Sequence, residues 1–431
     1  MSAKGLLRFV VFLSVFALVA AACGDDDAIT TTTAAVTTTA GVTTTAGTTT
    51  TAATTTTSAS GEGFTFGMIL VGPQNDHGWS QAHFEAGQYL EEMTGATMIV
   101  LDKVNTADRP ETTVDQVIDD MVAQGAQLIF ATSDDMKDGV LVGAARHPEV
   151  PMIWSSGDNA WAEGKDYRPD LTNLGNVMGR MEYGKMIAGC AAALTSETGH
   201  LGYLGPLIND ETRRLVNSAY LGANYCWHEY GGMTDDINFA VNWIGFWFNI
   251  PGFTLDPTLV ANDFFDSNVD VVISGIDTTQ ALVVAGQRAA AGESVWAIPY
   301  DFEGACDEAA DACLGVPYFN WGPAYLEVLN SVIDGTFAAD FNWFGPDWTD
   351  INNPDTSGVG WLNGSALAAE AATSLETFIA GLADGTINLY TGPLNYQDGT
   401  PFLADGEVGT DFQIWYAEQL LEGIIGASSA G

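Results

Sequence analysis

The sequence predicts an α/β protein built as two doubly wound lobes, and three observations carry that expectation. At 431 residues the chain exceeds what one ordinary core organises. From Phe64 onward, short apolar runs alternate with stretches of helical period, the pattern of right-handed βαβ units and parallel sheets. There are more such runs than one sheet holds comfortably, so two sheets fit better.

In chain order, "FTFGMILV" reads as a strand, Gln81–Met93 as a helix and "ATMIVL" as a strand. Val114–Gln124 follows as a helix, then "AQLIFAT" and "VPMIWSS" as strands. A helix over Met178–Leu194 leads to strand "HLGYLG", helix Glu211–Tyr225 and strand "INFAVNW". Strand "VDVVIS", helix Thr279–Ala291, strand "SVWAIPY" and helix Gly322–Ile333 come next. The stretch "NLYTGPLNYQDG" and a helix over Phe412–Ile425 pack back on one lobe. The run "WIGFWF" reads as an apolar strand end belonging to a core.

Composition narrows the function. Hydrophobic residues make up 47% and aromatics 11%, enough for a large core. Thirteen Lys plus Arg stand against 55 Asp plus Glu, a formal net charge of −42. Nucleic-acid binding needs clustered cations, which this chain lacks. The acidity fits a saline or extracellular setting, and equally a solubility device.

The N-terminus has a positive start (Lys4, Arg8), an apolar run over Leu6–Ala22 and the ending "VAAACGDDD". It reads as a signal peptide, residues 1–22, short of a membrane span. "AAAC" resembles a bacterial lipobox, which makes Cys23 the lipidated first residue and anchors the protein extracytoplasmically to the cell membrane. Residues 23–63 carry a Thr-rich disordered tether with a root-mean-square span of about 30 Å. Four cysteines remain, Cys190, Cys226, Cys306 and Cys313. They allow three disulfide connectivities, or four reduced buried thiols. No CxxC pair or neighbouring His makes them a zinc site.

Ligands of doubly wound sheets sit beyond the carboxyl ends of the strands. The loops there carry Asn75, Asp76 and Trp79, then Ser133 and Asp134, then Asp158. Later loops carry Glu211 with Arg214 and Asn217, then Asp277, Asp301 and Trp321. Carboxylates and amides beside two indoles suit a flat, hydrogen-bonding, hydroxylated molecule. The same Asp, Asn and Ser side chains serve equally as helix N-caps. Indoles do not cap, and the alternative for Trp79 and Trp321 is packing. No GxSxG, Walker or HExxH motif is present. His77 and His83 read as hydrogen-bonded surface histidines, so no metal and no cofactor is expected.

Several collinear stretches then acquire a common meaning. "GPQNDHGWSQAHFEAG", "GAQLIFATS", "GYLGPLINDETRRLVNSAYLGA", "NWIGFWFN", "YFNWGPAYLEVLNSVIDGTF" and "LYTGPLNYQDG" resemble the basic membrane protein family of substrate-binding lipoproteins. That family serves ABC importers and includes purine nucleoside receptors. The resemblance spans about residues 64 to 400. It implies a type I periplasmic-binding-protein-like fold, two Rossmann-like lobes with parallel sheets joined by a three-strand hinge. The expected division is 64–175 plus 302–334 for lobe 1, and 176–301 plus 335–431 for lobe 2. It also implies that Asp76, Trp79, Ser133, Glu211, Arg214, Asn217, Asp301 and Trp321 lie at the site, with Trp79 stacking on a base. Asp134 and Asp135 stand where many relatives have an aromatic, and residues 249–256 hold an insertion.

The expectation is therefore a monomeric receptor for a purine base or nucleoside that hands its cargo to an ABC permease without changing a bond. An anionic nucleotide would meet so acidic a cleft badly. A receptor for another small solute such as a sugar, a nucleoside-processing enzyme and a purely structural surface protein are the rivals.

Overall fold

The computed structural model describes residues 60–429. The signal peptide, the lipidation site Cys23 and the tether as far as residue 59 lie outside the described residues. In chain order the first half runs β1 (Thr65–Ile69), α1 (Trp79–Thr94), β2 (Thr97–Leu101), α2 (Val114–Ala123), β3 (Leu128–Ala131), α3 (Lys137–Arg146), β4 (Met152–Ser155) and β5 (Leu174–Gly179). It continues with α4 (Met181–Thr195), β6 (His200–Gly205), α5 (Asp210–Glu229), β7 (Asn238–Trp243), α6 (Pro257–Asp266), β8 (Val271–Ser274), α7 (Gln280–Ala290) and β9 (Trp296–Ile298). Then come β10 (Gly315–Phe319), α8 (Gly322–Ile333), β11 (Phe341–Phe344), β12 (Val359–Asn363) and α9 (Ala369–Asp384). The chain ends through β13 (Leu394–Asn395), β14 (Pro401–Leu403), α10 (Asp411–Trp415) and β15 (Ile424–Ile425).

Local chemistry sets these boundaries. Gly95, at φ 75°, ends α1 in the left-handed conformation that costs glycine little. Capping boxes open α2 (Thr113 with Gln116) and α5 (Asn209 with Thr212). Asp256 caps α6, and Pro257 takes its first position.

Two all-parallel sheets result. The first has the order β11-β5-β4-β3-β1-β2 and the second β15-β7-β6-β8-β9. In the second, alternate side chains of β8 face opposite cores. Val271 and Ile273 join α4 and α5, while Val272 joins α6 and α7. α4 and α5 touch backbone to backbone, because Gly189 faces the carbonyl of Ala219 and Gly222 that of Met186. Cys190–Cys226 links the same two helices at a Cα separation of 5.1 Å, and Cys306 pairs with Cys313.

The lobes are joined by three crossings: Gly179 to Met181, the segment from β9 into β10, and the segment from β11 into β12. β10 and β12 pair antiparallel as a hinge ribbon, Gly315 opposite Asn363 through Phe319 opposite Val359. This is the type I binding-protein architecture that the sequence led us to expect.

Several expectations fail in detail. The first sheet runs on through Gly179 and takes back Phe341–Phe344, stretches expected in the second lobe. β5 pairs with β4, and β11 with β5. The helix expected from Met178 accordingly starts at Met181. The helix expected over Phe412–Ile425 stops at Trp415, and its last residues join β7 as a strand. α3, β5, α6, β10, β11, β12 and α9 are elements that the sequence pattern did not predict.

Candidate functional site

The carboxyl ends of both sheets face one another across a cleft. Between them lies a narrow cavity of only about 10 Å³ lined by Trp79, Ser133, Asp134 and Ser156 from the first lobe, and by Glu211, Trp247 and Asp277 from the second. The lobes meet closely there. A Cβ on Gly78 would collide with the backbone carbonyl of Asp277. A second, more open compartment of about 120 Å³ shares Asp134, Ser156 and Glu211 with the first and extends outward past Arg214 to Trp415 and Tyr416.

On the first-lobe side the floor is aromatic. Trp79 opens α1, and its indole N–H donates to the Thr132 carbonyl at 2.6 Å, which fixes the ring. Trp321 meets it edge to face at 5.3 Å, with Phe319 and His83 stacked on Trp321 at 4.8 and 4.2 Å. Trp321 is 0% exposed, so it supports Trp79 from behind and does not line the cavity. His83, expected at the surface, is likewise fully buried and hydrogen-bonded to the Tyr325 hydroxyl at 2.9 Å. Burial holds its imidazole well below the usual range, hence neutral.

Asp76 takes the capping role. Its carboxylate accepts the backbone N–H groups of Gly78, Ser80 and Gln81 at 2.9 to 3.0 Å, which orders the first turn of α1. Asn75 is exposed and not part of the cavity lining. Ser133 accepts the Asp135 N–H at 3.3 Å at the start of a single 3₁₀ turn, and Asp134 faces both compartments. Burial, reinforced by the charge of Asp135, pushes the Asp134 carboxyl up to about 6.

The second lobe brings buried ionisable groups. Glu211, in the first turn of α5, is pushed up to about 7 by burial, with Arg214 pulling the other way. Asp277 is raised well above its ordinary range by burial and by the charge of Asp301. Asp301 is 0% exposed and sits at φ 80°, beside the Tyr300 side chain. Burial raises it in the same direction, with the neighbouring charge of Lys185 pulling the other way. Near them Lys185 of α4 donates to the Ser274 carbonyl at 2.7 Å and lies 3.3 Å from the Tyr300 ring centroid. Burial lowers it to about 7.

Arg214 binds Glu182 through Nε at 2.5 Å, both side chains being buried, and its guanidinium rests 4.1 Å from the Trp415 ring centroid. Asn217 lies away from both compartments. Its amide donates to the Gln419 carbonyl and accepts the Leu421 N–H, tying α5 to the C-terminal segment. Of the expected residues, then, Trp79, Ser133, Asp134, Glu211 and Asp277 converge on the inner cavity, and Arg214 stands in the outer compartment. Asp76, Trp321 and Asp301 support the surrounding structure, whereas Asn75 and Asn217 are elsewhere. Trp247, Ser156 and Lys185 were missed. Trp247 was hidden in an apolar run assigned to the core. Ser156, at φ 73°, occupies a left-handed turn that non-glycine residues seldom adopt. Among the described residues no group of three or more His, Cys, Asp or Glu side chains is placed to hold a metal ion.

Comparison with known proteins supplies the context. The chain is 27% identical over 353 residues to a purine-binding protein of Brucella abortus (strain 2308), covering 80% of this chain and 88% of that one. It is 26% identical over 287 residues to a Haloferax volcanii protein named for glucose binding in an ABC transporter, covering 67% and 66%. Among solved structures, a solute-binding protein from Aeropyrum pernix K1 superposes at a TM-score of 0.59 with 12% identity, covering 77% of this chain and 93% of that one. A solute-binding protein of an ABC transporter system from Conexibacter woesei gives 0.54 with 18% identity, over 75% and 97%. These likenesses establish the fold. The family model for PnrA-like ABC transporter substrate-binding proteins matches residues 64–345. With that span covering both lobes and the cleft between them, the chain belongs to the Bmp family of PnrA-like ABC transporter substrate-binding proteins.

Proposed function

We propose that this receptor binds a purine base or nucleoside in the cleft between its lobes. The observation that carries the reading is the pair of indoles, Trp79 from one lobe and Trp247 from the other, lining one narrow cavity with carboxyl groups around it. An indole stacks on a planar base, while Asp134, Glu211 and Asp277 offer acceptors, and donors where protonated, to ring nitrogens, exocyclic groups and hydroxyls. The acid-rich surroundings disfavour a phosphate. The purine-binding relative from Brucella supports the same ligand class.

The cycle involves binding alone. An open form admits the solute, the lobes close about the β10–β12 ribbon, and the closed form presents the cargo to the permease. Among the described residues no hydrogen bond in the inner cavity joins a serine hydroxyl to a base. As a substrate-binding protein of an ABC transporter the chain works outside the cytoplasm; the lipid on Cys23 is part of our proposal. The Haloferax relative keeps a second ligand class open, a neutral sugar, for which the same carboxylates and one indole face would serve.

Isothermal titration with adenosine, inosine, guanosine, the free bases and glucose decides between them. A purine reading predicts tight binding within the purine panel, lost in Trp79→Ala. Binding of glucose alone transfers the cleft to a sugar, and release of free base from a nucleoside makes it an enzyme.

A further inference from the structure

Beyond the matched span 64–345, the C-terminal segment does something that three crossings do not require. Trp415 and Tyr416 are buried in the core of the first lobe. Trp415 packs edge to face on Phe341 and Trp343, and Tyr416 stacks on Trp161. The next residue, Ala417, is buried in the core of the second lobe, as are Leu420, Leu421 and Ile424. The chain thus passes between the two cores across one peptide bond.

Hydrogen bonds fasten both ends. On the first-lobe side the Tyr416 hydroxyl donates to the Asp158 carboxylate and accepts the Lys165 N–H at 2.7 Å. On the second-lobe side Arg213 donates to the Ala417 carbonyl at 2.8 Å, Asn217 brackets Gln419 and Leu421, and β15 extends the sheet beside β7. Trp415 and Tyr416 also form the outer end of the larger compartment.

We propose that residues 411–425 are a fourth, non-hinge tie between the lobes, and that Trp415 and Tyr416 wall the outer end of the cleft. Opening then requires Trp415 and Tyr416 to peel from the first lobe, so this segment sets how fast the cleft exchanges its solute. The exchange part rests on the proposal that the cleft is the ligand site; the tie itself does not.

The test uses Tyr416→Phe in the full chain, which removes one hydroxyl and leaves the ring packed. Hydrogen exchange on ligand-free protein is expected to speed up about tenfold or more at Lys165 and over 411–416, the loss of a hydrogen bond to a charged group. Stopped-flow tryptophan fluorescence with inosine is expected to show faster association and dissociation, with Kd changed less than threefold. Unchanged exchange at both segments overturns the tie. Accelerated hydrogen exchange with unchanged solute kinetics overturns the gating role. Accelerated hydrogen exchange in a protein that binds no purine upholds the tie and defeats the ligand assignment alone. Asp411→Ala, which frees Arg180 from its paired hydrogen bonds at 2.9 and 2.6 Å, tests the same tie if the first variant does not fold.

Discussion

On the first-lobe side the cleft rests on stacked rings: Trp79 on Trp321, Trp321 on His83 and Phe319, each buried. On the second-lobe side it rests on titratable groups, Glu211, Asp277, Asp301 and Lys185, held in the same degree of burial. The ring stack itself is insensitive to pH and salt, because packing and one indole hydrogen bond define it, although Asp134 adds one titratable carboxyl to the same wall. The second is responsive, because removing water from a carboxyl group penalises its charged form. One wall is built to fix shape and the other to tune polarity.

The contrast is broken most forcefully at Arg214. Arg214→Ala strands Glu182 as an uncompensated buried charge and is expected to cost about 3–5 kcal/mol in urea unfolding. Arg214→Met combined with Glu182→Leu should recover most of it, and a single mutant with wild-type stability would show that the pair carries no such strain.

Next in size is the pH response. Glu211 has a folded pKa raised to about 7 from 4.5, so between those values the folded protein holds a proton that the unfolded chain releases. Its contribution is fully present below about 4.5 and is lost as pH rises to 7, on the order of 2–3 kcal/mol. Asp134 adds a smaller loss over 3.8 to about 6 in the same sense. Glu211→Gln should flatten the fall in unfolding free energy between pH 4.5 and 7.5. A parallel fall in mutant and parent would remove Glu211 from the account.

Ligand affinity sharpens the other side. Trp79→Ala should weaken purine binding by about 1–3 kcal/mol, roughly five- to 150-fold, at any pH from 5 to 8. A pH-dependent loss would mean that the aromatic wall is not independent of the acidic one. The smallest effect is expected at Trp321→Phe. It keeps a stacked ring and removes an indole N–H that has no partner among the described residues, so Kd should move less than threefold. A large change would return Trp321 to direct contact.

The alternation of strands and helices was legible because each strand of a parallel sheet is buried on both faces and so writes a continuous apolar run. The cleft loops were legible for a related reason: they follow those runs. What each polar side chain does there was not. Asp76 and Asn217 look in sequence like Asp134 and Glu211, yet the first pair bind backbone and the second face the cavity. Only the tertiary placement of the N–H and C=O groups decides between the two. Trp247 was lost for the opposite reason, since a ring that faces a cavity and one that faces a core have the same local pattern. The tail shows tertiary context overriding helical periodicity. Residues 412–425 have helical spacing, but Arg213 takes the carbonyl of Ala417 and Asn217 the N–H of Leu421, so the turns after Trp415 do not form.

Gly78 carries a practical corollary. Its α-carbon abuts the carbonyl of Asp277 across the cleft with no room for even a methyl group. Alanine at this position would act as a doorstop, holding the jaws ajar and drawing Trp415 and Tyr416 off the first lobe with them. Such a protein would be a receptor frozen in its receptive posture, able to be loaded yet unable to signal that it is full.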